Sequence, residues 1–320
     1  MSGSTGPPQD AFRAGKRRGF GHCRPGRPPR LHGVPMKEPS LDVHMDSAQF
    51  DYVRVLYAEE AVNVLAQCGE RGVVLAGGQS LIPQMSLRAA VPHVIVDLGQ
   101  VTDLRVIEAH GDSVSIGAMV THAMIEDGQV PAPITGMLPY VAHGIAHRDV
   151  RNRGTLGGTA CWADPCADWP TALLALDATL VTLSPQGERR IPITSFYPEA
   201  FTNALGPAEI VTSIVLPRSS KRARWGYYKV TRTVSESADA IAAVISDPER
   251  GVSRVVLGGL KTPPVVLTEL SEDIRHRPPS GTVGLEACEE MISHLPGLAD
   301  VNLHNYAFAL NRALRSAFAG

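Results

Sequence analysis

Gly72-Val73-Val74-Leu75-Ala76-Gly77-Gly78-Gln79-Ser80-Leu81 decides the fold. An apolar run of strand length delivers the chain into paired glycines, and a small hydroxyl residue then stands where a helix N-cap would stand. Strand, tight turn and helix in that order place the segment in an α/β setting. Consecutive glycines allow positive φ and let a ligand approach without meeting a Cβ. Successive N–H groups in such a turn form a concavity suited to an anion. A second turn of this kind, Arg151-Asn152-Arg153-Gly154-Thr155-Leu156-Gly157-Gly158-Thr159, follows roughly seventy residues later. Two such turns fit one extended, doubly charged ligand held from two sides, such as a dinucleotide pyrophosphate. Neither turn is a phosphate loop closed by Gly-Lys-Ser/Thr, and neither is a GxGxxG fingerprint.

Working outward, the chain acquires structure from Phe50-Asp51-Tyr52-Val53. The spacing of Ala61, Leu65 and Cys68 predicts a helix over 58–68, and Ser80 is placed to cap a short helix over 81–87. Residues 93–98 form another apolar run, followed by strands near 104–107 and 113–116. Leu138, Val141, Ala142 and Ile145 share one helical face, which predicts a helix over 138–147 leading into the second turn. A helix over 169–176 and a strand over 178–183 follow. Residues 217–221 read as a linker. Beyond it come strands over 225–230, 240–245 and 252–260, then helices over 285–294 and 303–318.

Composition narrows the function class. The 320 residues suffice for two or three packed units, and a net charge of −2 gives no electrostatic reason to bind nucleic acid or a membrane surface. No apolar run approaches the roughly 20 residues that span a bilayer. Residues 1–44 carry Arg13, Lys16, Arg17, Arg18, Arg24, Arg27 and Arg30 among Gly and Pro, and read as a disordered basic extension. Cys23, Cys68, Cys161, Cys166 and Cys288 are scattered, odd in number and without a CxxC pair. They supply neither a disulfide framework nor a zinc or iron–sulfur ligand set, and a reducing cytoplasm is the expected setting. His143 and His147 lie four apart on one helical face without a third ligand, so no metal site is expected. Arg151 and Arg153 beside the second turn are open to phosphate or to nearby acids.

Ala76-Gly77-Gly78-Gln79-Ser80-Leu81-Ile82-Pro83 resembles the first FAD signature of the medium subunits of molybdenum hydroxylases, the xanthine dehydrogenase and aerobic carbon monoxide dehydrogenase type. Arg151-Asn152-Arg153-Gly154-Thr155-Leu156-Gly157-Gly158, with Ala163-Asp164-Pro165-Cys166-Ala167-Asp168-Trp169-Pro170 after it, resembles the second. The similarity also takes in Ile116-Gly117-Ala118, Tyr228-Lys229-Val230 and Arg254-Val255-Val256-Leu257-Gly258-Gly259, and extends over about residues 46–275. The segment over 231–239 departs from the family's Arg-rich, aromatic-containing version, which bears on the electron acceptor.

The resemblance implies an α/β (α+β) fold: a two-lobed FAD-binding domain of the vanillyl-alcohol-oxidase/PCMH type over 45–220, with subdomains 45–98 and 99–220, then a smaller α+β domain over 221–320. It implies non-covalent FAD held by Ala76, Gly77, Gly78, Gln79, Ser80 and Leu81 on one side and Thr155, Gly157, Gly158 and Thr159 on the other. Asp164, Asp168 and Lys229 complete the expected cofactor set, with Asp168 on the ribose or, alternatively, capping the next helix. No residue of this chain is expected to be catalytic. Substrate oxidation belongs to a large molybdopterin subunit, and a small subunit with [2Fe–2S] clusters feeds this FAD within a heterotrimer. The flavin then reduces NAD, a quinone or oxygen. The alternatives are a stand-alone FAD-dependent oxidoreductase and a non-catalytic assembly subunit.

Overall fold

The computed structural model describes residues 49–131, 133–134, 136–233, 236–279, 283–295 and 303–318. The extension expected over 1–44 lies outside them. β1 (Asp51–Arg54), α1 (Ala58–Cys68), β2 (Gly72–Leu75), α2 (Leu81–Ser86) and β3 (Val94–Asp97) build a parallel sheet in the order β1-β3-β2. Parallel neighbours need a crossover, and α1 supplies the first, burying Ala61, Val62 and Leu65 in one cluster with Val96 and Leu98.

β4 (Ile107–His110) and β5 (Ser113–Gly117) begin a second sheet, which is then interrupted by a helical stretch. That stretch holds α3 (His122–Glu126), α4 (Met137–His143), α5 (Arg148–Arg151), α6 (Leu156–Trp162) and α7 (Asp168–Ala175). β6 (Thr179–Ser184), β7 (Gly187–Pro192) and β8 (Ile210–Pro217) close the sheet, antiparallel in the order β4-β5-β8-β6-β7. The third sheet is antiparallel, ordered β12-β11-β10-β9. Its strands are β9 (Arg224–Val230), β10 (Ala240–Asp247), β11 (Val252–Gly258) and β12 (Val265–Val266), followed by α8 (Thr268–His276), α9 (Leu285–Ser293) and α10 (Leu303–Phe318).

β10 is buried at every residue because both its faces are covered. Ile241, Ala243 and Ile245 join the core of the second sheet and α7, while Ala240, Ala242 and Val244 pack with α10. α7 is likewise buried along its whole length. It reaches the third sheet closely at Gly258, where a Cβ would stand 1.8 Å from Thr171 Oγ1.

Three sequence readings change. The strand expected near 104–107 is a 3-10 turn over Thr102–Arg105 with β4 starting only at Ile107, because the chain folds over Gly117 and Met119 N–H donates to Leu104 O. The helix expected over 138–147 ends at His143, and a separate helix starts at Arg148. Between them Ala146 has φ 39° and His147 is extended, while the Arg151 guanidinium takes the freed carbonyls of Ile145 and Ala146. Finally, the second glycine motif is no simple turn, since α6 starts inside it.

Candidate functional site

β2 ends one residue before the first turn, and the turn leaves its donors open. Among the described residues, no hydrogen bond takes the backbone N–H of Gly77, Gly78, Gln79 or Ser80. Gly78 has φ +75°, which lets the backbone turn here. Ser80 occupies the N-cap position of α2, as expected, but its side chain makes no capping bond.

The second motif is built differently. The Thr155 side chain accepts from Gly158 N–H at 3.1 Å and caps α6. Leu156 N–H donates to Val120 O, Gly157 N–H to Ala118 O and Thr159 N–H to Thr155 O. The sequence reading gave both turns open N–H groups, and here the second spends its own on structure. What it offers instead is a close-packed backbone and the Thr159 hydroxyl. A Cβ on Gly157 would meet Ala118 Cβ at 2.5 Å, so the helix start lies directly on the chain leaving β5.

The two motifs line one cavity of about 380 Å³. Ala76, Gly77, Gly78, Gln79, Ser80 and Leu81 of the first and Thr155, Gly157, Gly158 and Thr159 of the second are among its lining. Leu98, Met119, Trp162, Leu205 and Ile210 give the remaining wall an apolar character. This size and mixed lining suit part of a cofactor-sized ligand.

Asp164, Asp168 and Lys229 stand outside that lining. Asp164 accepts from Cys166 N–H at 2.9 Å, in the turn before α7. Asp168 is the first residue of α7, whose N-cap is Ala167, so it does not cap the helix. Instead its carboxylate is buried between Tyr227 Oη at 2.7 Å and Lys229 Nζ at 2.9 Å. Lys229 also donates to Gly144 O at 2.7 Å, tying β9 to the break after α4. Burial, and then the Asp168 charge, pushes the Tyr227 hydroxyl well above its ordinary pKa.

Arg151 does not reach the cavity; nearby acids take it. It forms a two-pronged pair with Glu126 at 2.7 and 2.9 Å. The Arg151 hydrogen bond, joined by those of His143 and Arg148, outweighs burial and holds the Glu126 carboxyl at about 2. His143 thus has a carboxylate partner at 2.8 Å. Among the described residues no group of three or more His, Cys, Asp or Glu could hold a metal. Cys161 lines the cavity, with its thiol pushed up to about 12 by burial. No described helix is long and apolar enough to cross a membrane.

Two cavity residues escaped the sequence reading. His122, 3% exposed, lies between Trp169 Nε1 at 3.0 Å and Thr159 Oγ1 at 3.2 Å. Burial, and then the Arg151 charge, pushes its pKa down to about 4. Its sequence signal was its place just beyond Ile116-Gly117-Ala118, the strand already singled out. Glu209 is buried and also lines the cavity. Burial works to raise its pKa, but Arg189 at 2.6 and 2.7 Å, the Thr182 hydroxyl and Gly206 N–H hold it at about 2. No local motif marks it.

Residues 48–219 match the family described as the FAD binding domain in molybdopterin dehydrogenase. The caffeine dehydrogenase subunit beta of Pseudomonas sp. (strain CBB1) is 29% identical over 273 residues, 84% of this chain and 91% of that one. The nicotine 6-hydroxylase medium subunit of Paenarthrobacter nicotinovorans is 36% identical over 204 residues, 63% of this chain and 71% of that one. Among solved structures, reconstituted CO dehydrogenase from Oligotropha carboxidovorans superposes with a TM-score of 0.77 at 28% identity, covering 86% of this chain and 99% of that chain.

Proposed function

The chain belongs to the family of FAD-binding domains of molybdopterin dehydrogenases, and on that premise we propose that it carries electrons from a partner subunit's [2Fe–2S] cluster to an external acceptor. It is an FAD-binding oxidoreductase subunit of the medium-subunit type, with the PCMH-type fold. The observation that carries the reading is the meeting of the two glycine motifs. Their backbones touch beside a cavity that both line, and among the described residues four N–H groups of the first turn have no partner. That arrangement fits a pyrophosphate, because oriented amides stabilise an anion without any titratable group.

The chain's own residues bind and orient. Gly77, Gly78, Gln79 and Ser80 supply the amide donors, Thr159 a hydroxyl, and the Leu98, Leu205 and Ile210 wall keeps water from the apolar part of the ligand. Asp168 and Lys229, outside the cavity lining, act together as a buried pair that fixes β9 beside the break after α4. Asp164 shapes the turn that sets them. Bound FAD supplies redox capacity for two electrons, which it can take up or release singly.

Substrate oxidation then falls to a large molybdopterin subunit, which suits a chain whose family is described by its molybdopterin dehydrogenases and which is similar to a medium subunit. The acceptor is NAD, a quinone or oxygen. The four described cysteines are all free thiols, which suits a reducing cytoplasm. The test is the absorption spectrum of the complex purified with its neighbours, followed by acid release of the chromophore. FAD accompanied by molybdenum and iron–sulfur subunits supports the reading. A chain without flavin, or one that oxidises a substrate alone, overturns it.

A further inference from the structure

We infer that His122 is a positioning residue: its Nε2–H holds the Thr159 hydroxyl oxygen and turns the hydroxyl proton into the cavity, as a donor to a phosphate oxygen of the cofactor. The inference rests on the reading of this cavity as the pyrophosphate site.

Trp169 fixes the tautomer of His122. An indole N–H can only donate. It lies 3.0 Å from His122 Nδ1, so Nδ1 must accept and carries no hydrogen. A neutral imidazole then bears its proton on Nε2. The ring is kept neutral by its surroundings: it is buried, and Arg151 is the charged group that acts on it. Nε2 lies 3.2 Å from Thr159 Oγ1, so the hydroxyl oxygen accepts there and cannot also aim its proton back. Among the described residues Thr159 Oγ1 has no other partner, and Thr159 lines the cavity. The residues of the first turn whose N–H groups are open line the same cavity. Both motifs therefore bring donors to one cavity.

The ring is also fixed in place. His122 N–H donates to Gly154 O at 2.9 Å, and a Cβ on Gly154 would meet His122 Cδ2 at 2.8 Å. The imidazole thus packs against the backbone of the second motif, and the tautomer chosen 47 residues away at Trp169 is passed on to Thr159.

Two measurements on the full chain test this. Long-range nitrogen-15 NMR of histidine-labelled protein reads the tautomer directly. A neutral Nε2–H ring is expected at neutral pH, and an Nδ1–H or charged ring overturns the inference. The second measurement titrates FAD and riboflavin into flavin-depleted wild type, His122→Phe, Thr159→Val and the double variant, followed by flavin fluorescence. Thr159→Val is expected to weaken FAD about ten- to a hundred-fold while leaving riboflavin unmoved. The double variant is expected to lose no more than Thr159→Val alone, and Thr159→Ser to keep wild-type affinity. Additive losses would make His122 a packing residue only and overturn the inference, with the pyrophosphate reading intact. Wild type that binds no FAD would overturn both, whatever the tautomer.

Discussion

Gly77 and Arg153 meet main chain to main chain: a Cβ on Gly77 would stand 2.0 Å from the Arg153 carbonyl oxygen and 2.7 Å from its carbon. The two glycine motifs, far apart in sequence, are thereby one surface. The contact involves backbone on the Arg153 side, so no side chain can swing away to relieve it. Gly77→Ala should push the first turn off the second, at a cost of about 1–3 kcal/mol in stability. Flavin should be lost well before the fold is. Acid-released flavin per chain, set beside the urea midpoint, checks this, and a variant with full flavin content would refute the shared surface.

Asp168 and Lys229 form a second such relationship, with side chains 8% and 15% exposed. Asp168→Asn strands the ammonium and Lys229→Met strands the carboxylate. Each single change should cost about 3 kcal/mol. The double variant should cost less than the sum, because it leaves neither charge unpaired. Urea denaturation of the three variants gives the coupling directly. If the pair also serves the cofactor, each single variant that remains folded should release FAD more readily than wild type.

The turns were legible because their signal is local: glycine, hydroxyl and apolar run lie within ten residues of one another. Helices such as α1 and strands such as β10 were legible for the same reason, their faces being written at fixed spacing. The break after α4 was not, since it depends on Arg151 folding back onto two carbonyls that periodicity would have left inside a helix. Nor was the contrast between the motifs. Whether Gly157 N–H is open depends on Ala118 O, which the register of β5 brings under it. His122 and Glu209 were missed because their partners come from distant segments.

Thr171 offers a stabilising change. Its hydroxyl is fully buried in α7 and has no hydrogen-bond partner among the described residues. An unsatisfied buried hydroxyl costs on the order of 1–3 kcal/mol. Thr171→Val keeps the branched shape facing Gly258 and removes the polar atom, so the melting temperature should rise. A fall would mean that the hydroxyl has a partner in solution.

His122 sets a pH window of its own. Its folded pKa is pushed down from 6.5 to about 4 by burial and then by the Arg151 charge. The unfolded chain therefore takes up a proton that the folded ring refuses. Stability is full above 6.5 and declines as the pH falls through that window towards 4, by up to about 3 kcal/mol. Glu126 and Glu209 have depressed carboxyl pKa values, so their contributions are present above 4.5 and fade only as the pH falls from there towards 2. The two effects occupy different ranges and can be separated. His122→Gln, which cannot titrate, should flatten the urea midpoint between pH 6.5 and 4 and leave the steeper acid limb below it unchanged. Equal slopes in the variant and wild type across the upper range would show that the ring takes up its proton alike in the folded and unfolded chain, and the Trp169-to-Nδ1 hydrogen bond would then be given up below 6.5.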